Sequence, residues 1–379
     1  MKMKIGIVLY PTFGGSGIVA TELGKALSRK GHQIHFITYS QPVKLGILRE
    51  NIYYHEVSTS DYPLFEYTPY EQVLTSKLVD VVKYEKLDLL HVHYAIPHAS
   101  AAYMAQKILS EQGINIPFIT TLHGTDITLV GKDPSFEPVI TFSINHSNIV
   151  TAVSESLKKD TLEHFKIKKT IKVIPNFICF EDYKLLNNEK YKKRIASNNE
   201  KIITHVSNFR KVKRIQDVLK IFKIINNSNP SKLVLVGDGP ERPKMERLAR
   251  ELEISDHVNF LGNLKSTKEV LNISDLFILP SSSESFGLAA LEALACGVPV
   301  ISTNSGGIPE VVEHGKSGFL SEAGNFKEMG QNALNIISDN QTHNQFKSNA
   351  IKSAKKFDIQ HILPKYEEVY KESLNTINQ

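Results

Sequence analysis

Short, nearly unbroken apolar runs recur along the chain at residues 4–9, 33–39, 87–94, 116–122 and 149–154. A second series follows at 201–207, 232–240, 257–262, 275–280 and 298–302. Runs of this length, apolar at successive positions, read as strands buried on both faces, as in a parallel sheet. Between them lie stretches of helical composition at 18–30, 70–85, 158–172, 242–252, 286–295, 327–338 and 363–375. Ser154 is placed to cap the helix that follows it. The alternation predicts an α/β protein. Residues 62–69 are loop-like and aromatic, and residues 181–200, rich in Asn, Lys and Glu, form a polar connector between the two series.

Composition narrows the function classes. A chain of 379 residues with 41% hydrophobic and 22% charged residues is long enough for two or three ordinary globular domains. Two cysteines, Cys179 and Cys296, give no disulfide framework and fit a reducing compartment. Cys296, in an apolar helix end, reads as a buried small hydrophobe. The apolar start is too short for a signal peptide, and no run approaches the roughly 18 apolar residues of a membrane span. A soluble, cytoplasmic protein is expected, without stable membrane association. The net charge of +5 is mild and fits an anionic small substrate as well as a nucleic acid or a membrane surface; no nucleic-acid partner is expected.

The densest chemistry lies in SSSESFGLAALEALACGVPVISTNSGGIPEVV, residues 281–312. Glu284 and Glu292 stand eight apart around Phe286, Gly287 and Leu288. With a helix starting at Phe286, Glu284 lies in the loop before it and Glu292 about two turns inside. The amides of Phe286, Gly287 and Leu288 then face outward at the positive helix end, a site for a phosphate. Glu284 can accept bonds from sugar hydroxyls and Glu292 from a ribose. An ordinary helix with solvated acids is the plainer reading of such a pair taken alone. Here a strand and the run NSGGIPEVV follow at once, and glycines between strand and helix mark another close approach of backbone to ligand.

Three further segments matter. The run YPTFGGSG, residues 10–17, is a glycine-rich loop whose Gly15, Ser16 and Gly17 bring amides toward a diphosphate or an acceptor. Its match to a dinucleotide fingerprint is set aside: it lies too far from the strand, and no acid ends the second strand to hold a ribose. His91, His93 and His98 invite a zinc reading, but no nearby Cys or acid completes a ligand set, so no metal is expected. The loop NFRKVKR, residues 208–214, carries four cations suited to clamping a diphosphate, although a solvated surface would look similar. The six lysines at 158–172 read better as a solvated helix face than as a lipid-binding one.

The acid pair and the glycine run together resemble the nucleotide-sugar site of retaining glycosyltransferases of the GT-B fold, in the large family 4, and the resemblance covers nearly the whole chain. It implies two Rossmann-like domains facing each other across a cleft. Residues 1–175, joined by the C-terminal helix at about 360–379, would form the acceptor domain, and residues 176–359 the nucleotide-sugar domain. The motif HGTD, residues 123–126, matches the family segment that faces the transferred sugar. The family has Gly-Arg at the start of the cationic loop; Ser207 and Asn208 stand there instead, so Arg210 would supply the charge beside Lys213. The resemblance thus makes Glu284, His123, Arg210 and Lys213 the catalytic set. Gly15, Ser16, Gly17, Asn208, Phe286, Gly287, Leu288 and Glu292 would bind the donor.

Neither acid has the place of a double-displacement nucleophile in the family, which would need a carboxylate about 5 Å from the anomeric carbon. Front-face attack with retention is therefore expected, with protein cations in place of a metal and no cofactor. The runs GIVLYPTFGGSGIVATELG, HVHYAIPHA and VSNFRKVKR resemble one subgroup of the family, which begins bacillithiol synthesis. That implies UDP-N-acetylglucosamine as donor and L-malate as acceptor. Ser16, Tyr94 and Thr121 are the candidate acceptor contacts. A cell-wall, exopolysaccharide or lipid acceptor is the alternative within the family, and a non-catalytic nucleotide-sugar binder the alternative of another class. A homodimer is usual among relatives.

Overall fold

The computed structural model describes residues 2–12, 14–46, 50–59, 68–129, 131, 133–183, 189–197 and 200–376. Most of the expected aromatic loop at 62–69, position 13 of the glycine-rich run and part of the polar connector lie outside them. The chain divides into two units, Met1–Phe177 with Ile359–Gln379, and Ile178–Asp358.

The first unit holds strands β1 (Lys4–Val8), β2 (Gln33–Thr38), β3 (Ile52–Glu56), β4 (Leu89–His93), β5 (Phe118–Leu122), β6 (Ile149–Ala152) and β7 (Ile171–Val173). They form a parallel sheet in the order β3-β2-β1-β4-β5-β6-β7. Its helices are α1 (Gly15–Arg29), α2 (Tyr70–Glu85), α3 (Ser100–Ser110), α4 (Glu137–His146) and α5 (Glu155–His164). The first α-helix of the second unit is α6 (Glu189–Ile195), inside the stretch expected to be a plain connector. Its strands are β8 (Lys201–Val206), β9 (Ser231–Val236), β10 (Val258–Gly262), β11 (Leu276–Leu279), β12 (Val300–Thr303) and β13 (Gly318–Ser321). They pair in parallel in the order β10-β9-β8-β11-β12-β13. Its other helices are α7 (Ile215–Ser228), α8 (Arg242–Glu251), α9 (Lys268–Leu271), α10 (Leu288–Ala295), α11 (Ile308–Val311), α12 (Phe326–Ile337) and α13 (Asn340–Lys355). The final helix, α14 (Ile359–Asn375), returns to the first unit and packs against α1, β4 and β5.

The strands form where the apolar runs predict because helices cover both faces of each sheet: β1, β4, β5 and β8 are buried almost throughout. α7 shows how a helix docks. Ile215, Val218, Leu219, Phe222 and Ile225 recur at helical spacing and are buried. They join Leu233, Leu235, Leu276 and Ile278 in one core. In both sheets the strand order reverses once, between β1 and β4 and between β8 and β11. Loops leaving the carboxyl ends of strands part at such a point and open a crevice, where ligands bind in this class.

Three expectations change. The basic stretch at 158–172 is not one helix: α5 ends at His164 and Lys172 lies on β7, paired with Glu372. Lys158 and Lys159 pair with Glu155 and Glu163 along α5. The helix after the glycine-rich loop begins at Gly15 rather than near Ile18. The helix at 286–295 begins at Leu288, because Gly287 adopts φ +94° and cannot continue it backwards. As foreseen, Ser154 caps α5, accepting from the Leu157 amide at 3.0 Å. No helix among the described residues is long and apolar enough to cross a membrane.

Candidate active site

In the second unit the loops after β8 and β11 meet at the reversal of strand order. The Val212 carbonyl accepts the Ser282 amide at 2.9 Å, stitching the two loops together. Lys213 Nζ then reaches Glu284 Oε1 at 2.5 Å, with the two side chains 20% and 13% exposed. Beneath the cationic loop, buried His205 donates from Nδ1 to the Ile278 carbonyl at 2.7 Å. Its Nε2 lies 2.7 Å from Ser207 Oγ and so accepts that hydroxyl proton. Burial pushes the His205 pKa down to about 4, keeping this strut neutral.

The other loop cations divide. Arg214 donates from Nε to Asp217 at 2.6 Å and serves the start of α7. Arg210 and Lys211 are exposed and make no ion pair among the described residues. Asn208 is also exposed, and its carbonyl accepts the Arg210 amide. The amides of Phe286, Gly287 and Leu288 precede the first intrahelical donor of α10, Leu291, which bonds Gly287. Gly306 and Gly307, read in the sequence as a close approach of backbone to ligand, pack against the Glu284 turn. The Gly307 amide donates to the Glu284 carbonyl at 2.9 Å, and a Cβ on Gly306 would lie 2.0 Å from that oxygen. Glu292 sits about one turn inside α10, not two. The residue is 7% exposed, and its carboxylate accepts from Tyr183 at 2.8 Å and Thr267 at 3.2 Å.

In the first unit the corresponding point joins α1 to the end of β4. Gly14 caps α1 with φ −64° and ψ 153°, leaving Gly15 and Ser16 in the first turn. A Cβ at Gly17 would come within 2.5 Å of the Tyr10 carbonyl oxygen, so glycine lets the helix start this close to the strand. Ser16 Oγ lies 2.6 Å from the Tyr94 hydroxyl. Tyr94 holds φ +88°, a costly conformation for a bulky residue, and its amide donates to the Thr121 carbonyl at 2.9 Å. Burial raises the Tyr94 pKa to about 12, so the phenol remains a neutral donor.

Thr121 does not present its hydroxyl as the sequence suggests. It is fully buried, with Oγ1 2.7 Å from both His91 Nε2 and Thr151 Oγ1. It serves as an internal strut for Tyr94. His91 Nδ1 faces the hydroxyl of Tyr370 on α14 at 2.9 Å. His93 Nδ1 faces His123 Nε2 at 2.7 Å, and His98 Nδ1 donates to the His93 carbonyl. Burial holds all four imidazoles neutral, lowering His91 and His123 to about 3 and His98 to about 4, with His93 also far down. Asp126 accepts the amides of Ala95 at 2.8 Å and Gly124 at 3.1 Å, fixing the turn that carries His123. Burial raises its pKa to about 6 against those bonds.

His91, His93 and His98 thus spend nitrogens on one another's surroundings. Among the described residues one group offers three ligand atoms within 4.8 Å: His35, His55 and Glu85. His35 Nδ1 already faces His55 Nε2 at 2.9 Å, and its Nε2 is buried without a partner among the described residues. Ligation through Nδ1 would place a proton on that orphaned nitrogen, so the group is assigned no metal role.

Sequence reasoning missed His205, Tyr183, Thr267 and Tyr370, which support the site from beneath. Only His205 had a visible signal, a polar residue inside an apolar strand.

Two family models match the chain: the glycosyltransferase family 4 model over residues 13–181 and the glycosyl transferases group 1 model over residues 187–353. The N-acetyl-alpha-D-glucosaminyl L-malate synthase of Bacillus anthracis is 47% identical over 98% of this chain and 97% of its own. An uncharacterized glycosyltransferase of Methanocaldococcus jannaschii is 26% identical over 98% of each chain. Among solved structures, Anabaena HepE in complex with UDP and glucose superposes with a TM-score of 0.81 at 21% identity, covering 97% of this chain and 99% of that one. The sucrose-phosphate synthase of Thermosynechococcus elongatus gives 0.81 at 20% identity, covering 99% and 100%.

Proposed function

This chain belongs to glycosyltransferase family 4, with the two parallel-sheet domains of the GT-B fold, and on that premise we propose that it moves N-acetylglucosamine from UDP-N-acetylglucosamine to the hydroxyl of L-malate. The observation that carries the reading is the Lys213–Glu284 pair beside the amides that open α10. It sets a cation, a carboxylate and unpaired N–H groups around one spot, as a sugar diphosphate requires. The 47% identity to an L-malate synthase supports the choice of donor and acceptor.

In this reading the diphosphate lies against Phe286, Gly287 and Leu288, and Arg210 and Lys213 neutralise it. Asn208, Gly15, Ser16 and Gly17 add polar contacts to the donor. Glu284 accepts from hydroxyls of the sugar. Glu292 keeps lone pairs for the ribose beyond those taken by Tyr183 and Thr267. Ser16 and Tyr94 receive malate, with Thr121 acting through Tyr94. His123 faces the transferred sugar.

The malate hydroxyl oxygen bonds to the anomeric carbon on the face from which UDP leaves, and the carbon–oxygen bond to UDP breaks. The departing phosphate oxygen takes the hydroxyl proton. Arg210, Lys213 and the helix end stabilise the charge that develops on the diphosphate, so configuration is retained and no metal is needed. The enzyme works in the cytoplasm. Purified protein with UDP-N-acetylglucosamine should release UDP when L-malate is added. No release with malate, but release with a lipid or saccharide acceptor, overturns the acceptor; no release with any acceptor, despite UDP binding, leaves a nucleotide-sugar binder.

A further inference from the structure

His93 and His123 meet nitrogen to nitrogen, and the surroundings decide which of them carries the proton. His93 is fully buried, with Nδ1 2.7 Å from His123 Nε2. The other His93 nitrogen, Nε2, is buried and has no partner among the described residues. Both rings are neutral, because burial lowers both pKa values, with His91, His123 and His98 opposing the charging of His93 and His98 that of His123. A neutral imidazole has one N–H and one bare nitrogen.

Two arrangements satisfy the short contact. If His123 donated from Nε2, His93 would accept at Nδ1 and hold its own proton on Nε2. That would bury an N–H with nothing to accept it, and orphaned buried N–H groups are rarer in proteins than under-satisfied acceptors. If His93 donates from Nδ1, its buried Nε2 is a bare nitrogen and no donor is stranded. The second arrangement fixes His123 as well: with Nε2 accepting, its proton must sit on Nδ1. That nitrogen makes no hydrogen bond within the described residues, and His123 as a residue is 8% exposed.

The backbone holds both rings in place. His93 ends β4 and His123 directly follows the neighbouring β5, and the register of the two strands pairs His93 with Thr121. The two rings meet edge to edge, with centroids 5.0 Å apart and 29° between their planes. The His93 carbonyl is held by His98 Nδ1, and the turn bearing His123 by Asp126.

We propose that His93 is a positioning residue that locks His123 as the Nδ1–H tautomer, so that His123 offers a neutral hydrogen-bond donor to an oxygen of the transferred sugar. This rests on the glycosyltransferase reading for its ligand, but the tautomer itself is independent of activity. An imidazolium is not needed: a neutral donor suits a hydroxyl or acyl oxygen, and the burial that keeps His123 uncharged also keeps the anionic donor from being held there.

The experiment uses the full chain labelled with nitrogen-15 in histidine, with the His123 signals assigned by their loss in His123→Asn. Long-range proton–nitrogen correlation spectra should show wild-type His123 protonated on Nδ1. His93→Asn retains an amide donor near the place of Nδ1 and should keep that tautomer. His93→Leu removes the donor and should shift His123 toward the Nε2–H form. In the UDP-release assay His93→Leu should lower kcat about fivefold to tenfold, as expected for one misdirected hydrogen bond. KM for the nucleotide sugar should stay within about twofold, and His93→Asn should recover most of the loss. Wild-type His123 protonated on Nε2, or an unchanged tautomer in a folded His93→Leu protein, overturns the proposal. Absence of glycosyl transfer with the expected tautomer would count against the functional reading instead.

Discussion

Lys213 and Glu284, 71 residues apart, form an ion pair at 2.5 Å where the loops after β8 and β11 come together. Removing either partner leaves the other partly desolvated and changes both the charge and the shape of the phosphate site. Glu284→Gln keeps the shape and removes the charge. If Glu284 positions the sugar, kcat should fall by about 10² or more, the scale of losing one preorganised polar contact, while UDP still binds. Lys213→Met should lower kcat to a similar degree and weaken UDP as well. A turnover unchanged in Glu284→Gln would remove that residue from the reaction.

Gly306 offers a second, purely steric test. It holds φ +60° with its α-carbon against the Glu284 carbonyl, and a methyl group there would approach that oxygen to 2.0 Å. The obstacle is backbone, so no rotamer change relieves it. Gly306→Ala should destabilise the second unit by about 1–3 kcal/mol and weaken UDP binding by displacing the Glu284 turn. Thermal denaturation and a UDP titration measure the two effects, and a variant matching the wild type in both would show that the turn yields freely.

Much of this architecture was legible because the strands are buried on both faces and therefore read as apolar runs. β3, β7 and β13 escaped: three of the five β3 residues are exposed, β7 is a three-residue edge strand at the end of the stretch read as a basic helix, and β13 is a short edge strand beginning at Gly318. α13 was missed because its buried face is His343, Phe346, Ala350, Ser353 and Ala354, too polar and too small to stand out from a surface helix. In the site, Glu284 and Lys213 were visible as members of local patterns, but their pairing depends on the reversal of strand order, which no local pattern contains. Thr121 misled for a related reason: alternation along β5 cannot tell a hydroxyl facing a crevice from one bonded to His91 and Thr151 inside the unit.

The Ser16–Tyr94 contact at 2.6 Å leads to a test of acceptor binding. Tyr94→Phe keeps the ring and its packing against Tyr10 and His98, and removes only the hydroxyl. The KM for L-malate should rise about fivefold to tenfold, the cost of one hydrogen bond, with KM for UDP-N-acetylglucosamine nearly unchanged. Ser16→Ala should act in the same direction. An effect confined to the nucleotide sugar would move these residues to the donor side.

The buried histidines make stability depend on acidity in a definite direction. His91, His98 and His123 titrate near 3, 4 and 3 in the folded chain, and His93 is also far down, because burial disfavours their charged forms. In the unfolded chain each takes up a proton near pH 6.5. Below that pH the unfolded state binds more protons, so stability present above pH 6.5 is lost as the pH falls toward 4. Asp126 opposes this. Its folded pKa, raised to about 6 by burial, lies above its unfolded value, so its contribution improves as the pH falls from about 6 to 4. One carboxyl is set against four imidazoles, and His35 and His205, each lowered to about 4, add to the same side as the four. Each fully titrating histidine contributes a slope of about 1.4 kcal/mol per pH unit, so the net loss between pH 6.5 and 5 should reach several kcal/mol. Urea denaturation from pH 7.5 to 5 should therefore show a midpoint falling steadily with acid. A midpoint that stayed level or rose would mean that these rings are charged or solvated in the folded protein.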